Sequence, residues 1–466
     1  MAEPGDETRR YALSEGPSVQ DLLDAERHPV PTALRETSFR SLGSADLPRE
    51  RYFSRAFHDL EMARMWSRVW QMACREEEIP EVGDHVIYEI GDTSLLVLRS
   101  APGEIRAFHN ACLHRGRLLR TESGHVTQLR CPFHGFTWRL DGSLQFVPCR
   151  WDFPHVRDEA FRLPEAGVGT WGGFVFVNPD PDAAALAEFL GPLPRHFERW
   201  RLEDRVKAVH VGKVVAMNWK VGVEAFLESL HVLATHPQIL SSMGDVNSQY
   251  DVDPDLHVNR MITPLATPSP QLAVRPSEQT ILNALTSGYA DHGDEPGPVR
   301  LPEGATARSF LADMTRGLLG QSRVEGLGEA TDSELLDAIQ YFVFPNFFPW
   351  GGVFQNIVYR FRPAGDDPER ALMEVMLLRP PPRSGPRPKP ASLRLLGPDE
   401  RWTDAPELGV LAAIFEQDMA NMPNVQRGLR ALRKPGVTLA NYQESRIRHL
   451  HHLLDRYLDE APPGGA

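Results

Sequence analysis

Two short loops constrain this chain more than anything else in it. Residues 110–138 read NACLHRGRLLRTESGHVTQLRCPFHGFTW. They contain Cys112-x-His114, a gap of 16 residues, and Cys131-x-x-His134. Each arm supplies one thiolate and one imidazole, and a tetrahedral zinc ion can use such a set. Zinc fingers usually pair Cys with Cys and His with His along the chain, whereas here each loop mixes the two. Mixed loops suit a binuclear cluster in which one iron takes both cysteines and the other both histidines. Imidazole in place of thiolate removes negative charge from such a cluster and raises its reduction potential. Gly116 and Gly135 allow tight loops with positive φ, and Pro132 stiffens the second arm.

Composition narrows the setting. The chain has 466 residues and 4 Cys. Cys74 and Cys149 have no partner at ligand spacing and read as small buried apolar residues. So few cysteines make no disulfide scaffold. The polar start MAEPGDETRRYALSEG lacks the apolar stretch of a secretory signal, so a reducing cytoplasmic setting is expected. A net charge of −13 argues against nucleic acid and anionic membrane surfaces as partners, and no run of about 18 apolar residues spans a bilayer. The charge reverses locally. Residues 106–150 hold seven Arg (106, 115, 117, 120, 130, 139, 150) against Glu122 and Asp141, a local +5. Such a patch is expected to dock an acidic protein.

Along the chain, residues 1–44 read as a lead-in arm with a short amphipathic stretch near Val19–Arg27. Tyr52–Met72 shows helical spacing. From Gly83 to Asn178, short alternating runs separated by GD, PG, SG and DG turns predict antiparallel β structure. Residues 205–240 show helical spacing again. Residues 262–305 are rich in Pro, Gly and Ser. Helices are expected at Phe310–Leu319, Asp332–Ile339, Glu407–Arg433 and Ile447–Leu458. Strands are expected at Tyr341–Arg362 and Arg370–Leu378. RPPPRSGPRPKPAS reads as a surface linker.

A second constellation lies in Asn218–Pro237, NWKVGVEAFLESLHVLATHP. Glu224, Glu228 and His231 fall at i, i+4 and i+7, one face of a helix. His236 follows His231 by five residues, about 140° further round an ideal helix. Both imidazoles can meet one metal only if the helix ends or distorts between them, and Pro237 predicts such an end.

The pattern C-x-H-R-G…C-P-x-H-G-x-x-W resembles the Rieske [2Fe–2S] domain. N-W-K-x-x-x-E-x-x-x-E-x-x-H-x-x-x-x-H-P resembles the iron-binding helix of Rieske non-haem iron oxygenases, in their large (α) subunit. The resemblance covers about 45–440. It implies an α+β fold: an antiparallel-β Rieske domain, then a helix-grip, START-like catalytic domain with an antiparallel sheet. The corresponding partition is an arm at 1–44, a Rieske domain with its leading helix at 45–165, and a catalytic domain at 166–466 with an insertion or lid at 262–335. A [2Fe–2S] cluster on Cys112, His114, Cys131 and His134 is implied, with Fe(II) on His231, His236 and a late-helix carboxylate. The late helix matches D-x-x-x-x-x-x-x-Q-x-G-L at Asp418, with Glu416 the alternative. Glu228 takes the place of a more usual Asp that links a Rieske histidine of one subunit to the iron of its neighbour in a homotrimer. Leu230 and Ala225 stand where Tyr and Asn are frequent.

These features imply a terminal oxygenase that activates O2. Its expected outcome is mono- or cis-dihydroxylation, or oxidative demethylation, of an apolar aromatic or alicyclic compound. No GxGxxG opens a βαβ unit, so electrons are expected from a separate ferredoxin or NAD(P)H-dependent reductase. Tyr341–Phe354 holds five Phe, one Trp and one Tyr in fourteen residues. Phe344, Asn346, Phe348 and Phe354 there, with Phe226, Leu227 and Leu233, are the candidate substrate pocket. The rival readings are a Rieske electron carrier without oxygenase activity and a START-like binding protein with a structural metal. His449, His451 and His452 read as one packed, part-solvated helix face.

Overall fold

The computed structural model describes residues 15–287, 299–354 and 356–459. The chain forms two compact units. One is His58–Phe189 with the short segments Pro363–Asp367 and Tyr457 onward; the other is built from chain on both sides of it, up to Phe57 and from Leu190 to Arg456.

The first unit is a seven-stranded sheet. Its strands are β1 (Gln71–Arg75), β2 (Asp84–Ile90), β3 (Thr93–Ala101), β4 (Glu104–His109), β5 (Gly124–His125), β9 (Glu165–Trp171) and β10 (Phe174–Asn178), in the order β1-β10-β9-β4-β3-β2-β5. A three-stranded sheet of β6 (Leu129–Arg130), β7 (Thr137–Trp138) and β8 (Leu144–Phe146) carries the second Cys-His loop. β9 and β10 complete the larger sheet, pairing with β4 and β1. The units therefore divide after Phe189, later than the boundary at 165 read from the sequence. The helical pattern of Tyr52–Met72 is shorter than expected: it is spent by Trp66, and Gln71 already starts a fully buried strand.

The second unit is an eight-stranded sheet. β11 (Val206–Val215), β12 (Gln249–Asp251), β13 (Val258–Thr263), β14 (Ala338–Val343), β15 (Phe347–Pro349), β16 (Asn356–Pro363), β17 (Ala371–Arg379) and β18 (Arg394–Leu396) run in the order β12-β13-β14-β15-β16-β17-β11-β18. β18 is parallel to β11, and β11 is antiparallel to β17. The helical reading of 205–240 fails at its start, because VKAVHVGKVV forms the ten-residue strand β11. Five valines in that run favour a pleated surface. The helices here are α1 (Trp219–Ala225), α2 (Val232–Thr235), α3 (Glu278–Thr286), α4 (Ala307–Leu319), α5 (Leu411–Ala431) and α6 (Ser445–Asp459).

The arm packs on this unit. Phe39 bridges to Val252 and stacks edge-on against Tyr442, and Leu47–Pro48 pairs with Gly436–Val437. Its first 14 residues lie outside the described ones. The 262–335 segment holds α3 and α4 around a small core of Ala266, Ile281, Leu282, Ala307 and Leu311. Leu272 from it packs against Val232, Ile239 and Leu240. Among the described residues, no helix is long and apolar enough to cross a membrane.

Candidate metal centres

The two Cys-His loops are built alike. The Gly116 amide donates to the Cys112 carbonyl (2.9 Å), and the Gly135 amide to that of Cys131 (3.0 Å). Both glycines sit at positive φ, 74° and 82°, where a side chain would be strained. Each loop closes so that its Cys and His reach the same side. Cys112 and Cys131 are buried, while His134 is exposed and His114 partly so. The imidazole rings lie 4.7 Å apart, centroid to centroid, in an edge-to-face pair. Burial, with the Cys131 sulfur alongside, raises the Cys112 thiol. Burial, then His134 and Arg115, lowers the His114 imidazole. Its Nδ1 is buried without a hydrogen-bond partner. Two buried thiols, two imidazoles nearer the surface and an orphaned ring nitrogen fit the ligand set of a binuclear iron–sulfur cluster.

Of the seven Arg around these loops, Arg106 pairs with Glu104 and Glu165, and Arg150 with Asp158. Arg120 and Arg139 spend their protons on backbone carbonyls, and Arg115 lies over the Phe133 ring at 5.3 Å. Arg115, Arg117, Arg120, Arg130 and Arg139 have no carboxylate partner among the described residues. Phe133, Phe146 and Trp151 are exposed on this unit. Cys74 is buried as expected; Cys149 is not, because it occupies an exposed turn at φ 50°.

The second centre is assembled from three elements. α1 starts at Asn218, whose side chain caps it by accepting from the Lys220 amide (3.1 Å). It ends at Ala225, so Glu224, Glu228 and His231 do not share one continuous helix face as the spacing predicts. A turn at 226–231 takes over, and Glu228 holds it by accepting from the His231 backbone amide (3.0 Å) and ring Nδ1 (2.6 Å). α2 lasts one turn and stops at His236, whose backbone leaves helical geometry (φ −127°, ψ 51°) just before Pro237. This break turns His236 towards His231. α5 brings Asp418, buried, from the far end of the chain. Ligand atoms of His231, His236 and Asp418 lie within 4.8 Å of one another. Asp418 Oδ1 is 2.8 Å from His236 Nε2 and 3.6 Å from His231 Nε2.

Glu228 and Gln417 select which nitrogen faces inward. With His231 Nδ1 held by Glu228 and His236 Nδ1 donating to Gln417 Oε1 (2.8 Å), both Nε2 atoms are aimed at the centre. Burial lowers the His231 imidazole, but Glu228 and then Asp418 outweigh it, and the net shift is upward. Two imidazoles and one carboxylate on one side of a point are the donor set of an open iron site. Glu416 is elsewhere, accepting from the Trp402 amide (2.8 Å).

Aromatic rings adjoin the triad. Phe226, just after α1, lies 4.8 Å from Tyr359 and 5.3 Å from Phe361. Phe415, one turn before Asp418, packs edge-on against Tyr359 at 5.8 Å. Phe348 joins them at 6.2 Å from Tyr359. Asn346 is fully buried. Leu227 and Phe344 are fully buried too, while Leu233 and Phe354 are 45% and 41% exposed and are not brought into this group. Val232 takes the inward position on the one-turn α2, so Leu233 faces out. Tyr359, Phe361 and Phe415 were not singled out by sequence. Phe415 had a readable signal, since i−3 from Asp418 shares its helix face.

A separate cavity of about 390 Å³ is lined by Glu224, Glu228, His231 and Glu444 over an apolar wall that includes Met422, Val425 and Leu429. Behind it, Tyr52 donates to Glu224 Oε1 (2.9 Å), and His451 Nε2 reaches the same oxygen (2.8 Å). His449 and His451 are thus buried, and only His452 remains part-solvated.

Comparison with known proteins agrees with both halves. Residues 195–460 match the catalytic-domain model of the ring hydroxylating alpha subunit, and residues 69–157 the Rieske [2Fe–2S] domain. The chain belongs to the ring-hydroxylating oxygenase alpha-subunit family. It is similar to the glycine betaine monooxygenase oxygenase subunit of Pseudomonas aeruginosa (strain UCBPP-PA14), 32% identical over 227 residues, 48% of this chain and 52% of that protein. It is also similar to the biphenyl 2,3-dioxygenase subunit alpha of Rhodococcus jostii (strain RHA1), 32% identical over 190 residues, 40% and 41% of the two chains. The chain thus spans about half the length of the curated relatives it matches. Solved structures share the fold over most of their length. The apo form of the quaternary ammonium Rieske monooxygenase CntA has a TM-score of 0.61 at 16% identity, covering 90% of this chain and 96% of that one. Naphthalene 1,2-dioxygenase from Rhodococcus sp. has 0.59 at 20% identity, covering 90% and 95%.

Proposed function

We propose that this chain is the terminal oxygenase component of a Rieske system, acting on an apolar, ring-bearing substrate. The observation that carries it is the convergence of His231, His236 and Asp418 in a chain that separately holds a Cys2His2 cluster site. Iron in the triad supplies O2 activation when bound, and the Rieske cluster supplies an electron. The protein's own groups do the rest. Glu228 and Gln417 fix the ring tautomers, and the rings of Phe226, Tyr359 and Phe415 exclude water beside Asp418. The relative named for biphenyl supports a ring substrate, and the one named as an N,N-dimethyl phenylurea N-demethylase subunit supports demethylation; the one named for glycine betaine acts on a charged, acyclic compound.

The assembly proposed is a homotrimer in which Glu228 links the triad to a neighbour's cluster. Complementary faces support it: five Arg and exposed Phe133 and Trp151 around the cluster loops, and Glu224, Glu228 and Glu444 with exposed Leu230 and Val425 around the cavity. Burying such aromatic and charged groups together is typical of specific interfaces. Electrons are proposed to come from a ferredoxin or an NAD(P)H-dependent reductase.

Iron analysis with O2 uptake tests the function. An oxygenase binds about three Fe per chain, two in the cluster and one in the triad, and consumes O2 with a surrogate ferredoxin and reductase. Two Fe and no uptake would leave an electron carrier. For the bridge, Glu228→Gln is expected to keep both metals yet slow single-turnover cluster oxidation at least tenfold, read by stopped-flow absorbance. Full-rate oxidation in that variant removes Glu228 from the electron route.

A further inference from the structure

The sheet floor beside the triad carries two polar groups with nothing to bond. β15 and β16 are paired with Phe348 opposite Tyr359. The Trp350 amide donates to the Ile357 carbonyl (3.0 Å) and the Phe361 amide to the Asn346 carbonyl (3.3 Å). The ladder therefore extends one step, with Asn346 opposite Phe361. Opposed residues, and residues two apart, share a face. Asn346, Phe348, Tyr359 and Phe361 accordingly form one patch, and it is the patch that Phe226 and Phe415 cover.

Asn346 is fully buried, and neither its Nδ2 nor its Oδ1 has a hydrogen-bond partner. Tyr359 is also buried as a residue, and no hydrogen bond of its hydroxyl is found among the described residues, though of the two side chains only the Asn346 amide atoms are wholly enclosed without a partner. Leaving a buried donor or acceptor unmet costs about 1–3 kcal/mol. An amide offers two N–H donors and an acceptor, and a phenol one donor. The two stand on diagonal positions, with Cβ atoms about 7 Å apart. Burial, and after it the Asp418 carboxylate, shift the Tyr359 hydroxyl upward. Arg360, between Tyr359 and Phe361 in sequence, alternates to the opposite face, where Glu374 holds it at 2.6 Å. No positive charge on this strand segment therefore meets the patch.

We propose that Asn346 and Tyr359 are the polar recognition points for substrate over this aromatic patch beside the triad. The substrate is then a ring compound bearing a carbonyl or hydroxyl oxygen, in preference to a bare hydrocarbon or a carboxylate. The amide N–H and the phenol O–H donate to that oxygen and orient the ring over the aromatic floor. Both are positioning residues. This inference rests on the oxygenase reading and names its substrate class.

The test is calorimetric titration of the reduced, iron-loaded enzyme with 1-indanone and with indene, which share a bicyclic skeleton and differ in the carbonyl. The wild type is expected to bind indanone at least about tenfold more tightly, the yield of one or two neutral hydrogen bonds. Asn346→Leu, similar in size but apolar, is expected to bring the ratio to within about twofold of unity, and Tyr359→Phe to lower it several-fold. Asn346→Ser, which restores one donor, is expected to recover part of it. A purely structural role would move both affinities together and leave the ratio alone. Equal binding by the wild type overturns the inference, because the polar groups are then met by water only. So does an unchanged ratio in Tyr359→Phe, or in Asn346→Leu with full iron. O2 uptake on the same samples separates the two levels. Equal wild-type binding, or ratios unchanged in the variants, with intact wild-type uptake sinks this inference alone; absent uptake sinks the oxygenase reading beneath it.

Discussion

Single residues set the proton balance of the catalytic unit. His449 is buried and held down to about 3, and His257 to about 4, burial being the first cause in each. A histidine whose folded pKa lies below its unfolded value, near 6.5, favours the folded state while neutral. That contribution is complete above about pH 6.5 and is lost as pH falls towards the folded values. Unfolding in that window takes up a proton at each site. His449→Gln, which can still accept from Asn259, is expected to flatten the pH dependence of stability between pH 6.5 and 4 by about 1.4 kcal/mol per pH unit. Denaturant titrations at several pH values check it. An unchanged slope would mean that His449 is protonated when folded. The burial of His449 and His451 was not readable from IRHLHHLL, where spacing puts three rings on an amphipathic helix without saying which side faces the core. The metal-binding types were readable because they come in fixed short intervals: Cys-x-His, Cys-x-x-His and His-x-x-x-x-His. Asp418 was legible only through the family resemblance of its helix, since one carboxylate on a long helix announces nothing by itself.

At the scale of elements, the break between α1 and α2 matters more than either helix. A continuous helix over 219–236 would splay His231 and His236 apart, and only the turn at 226–231 and the stop at His236 bring them together. Pro237 made the stop readable; the earlier break after Ala225 was not, because AFLESL has good helix formers throughout. What fixes α1 is its close approach to the sheet. A Cβ on Gly222 would lie 2.7 Å from the Met217 methyl and 2.8 Å from the Phe361 ring. Gly222→Ala is therefore expected to push α1 off β16, at about 1–3 kcal/mol, and to misplace the turn that follows. Iron content is expected to fall from about three to about two per chain, the cluster atoms being retained, and EPR should keep the reduced Rieske signal. Full iron in that variant would show that the helix end tolerates the shift. β11 was misread for a related reason. VKAVHVGKVV shows no clean period of two because both of its faces are covered, burying even Lys207 and His210.

For the whole molecule, charge is distributed against its average. An acidic chain concentrates arginines without carboxylate partners, among the described residues, around its two Cys-His loops. If an acidic donor docks there, its reduction rate is expected to fall several-fold between about 50 and 300 mM salt, as screening shortens the reach of surface charge to under about 10 Å. Stopped-flow reduction by a ferredoxin at graded salt measures this, and a flat profile would mean that the patch plays no part in docking. The two-unit architecture was legible in outline, from β texture followed by helices. The boundaries were not, because β9 and β10 look like the start of something new while they close the older sheet.

The interleaving of the two units fixes an order of manufacture. Leu47 finds its strand partner at Val437, and Tyr52 its neighbour at His451. At about 5–20 residues per second on the ribosome, the early segment waits roughly 20–80 seconds for those partners. The cluster-bearing sheet, by contrast, has all its strands once Asn178 has emerged. The strands around the two Cys-His loops are thus complete in the growing chain well before those of the catalytic sheet. The three residues that would hold the lone iron cannot meet until Asp418, close to the end of the described chain, has been made.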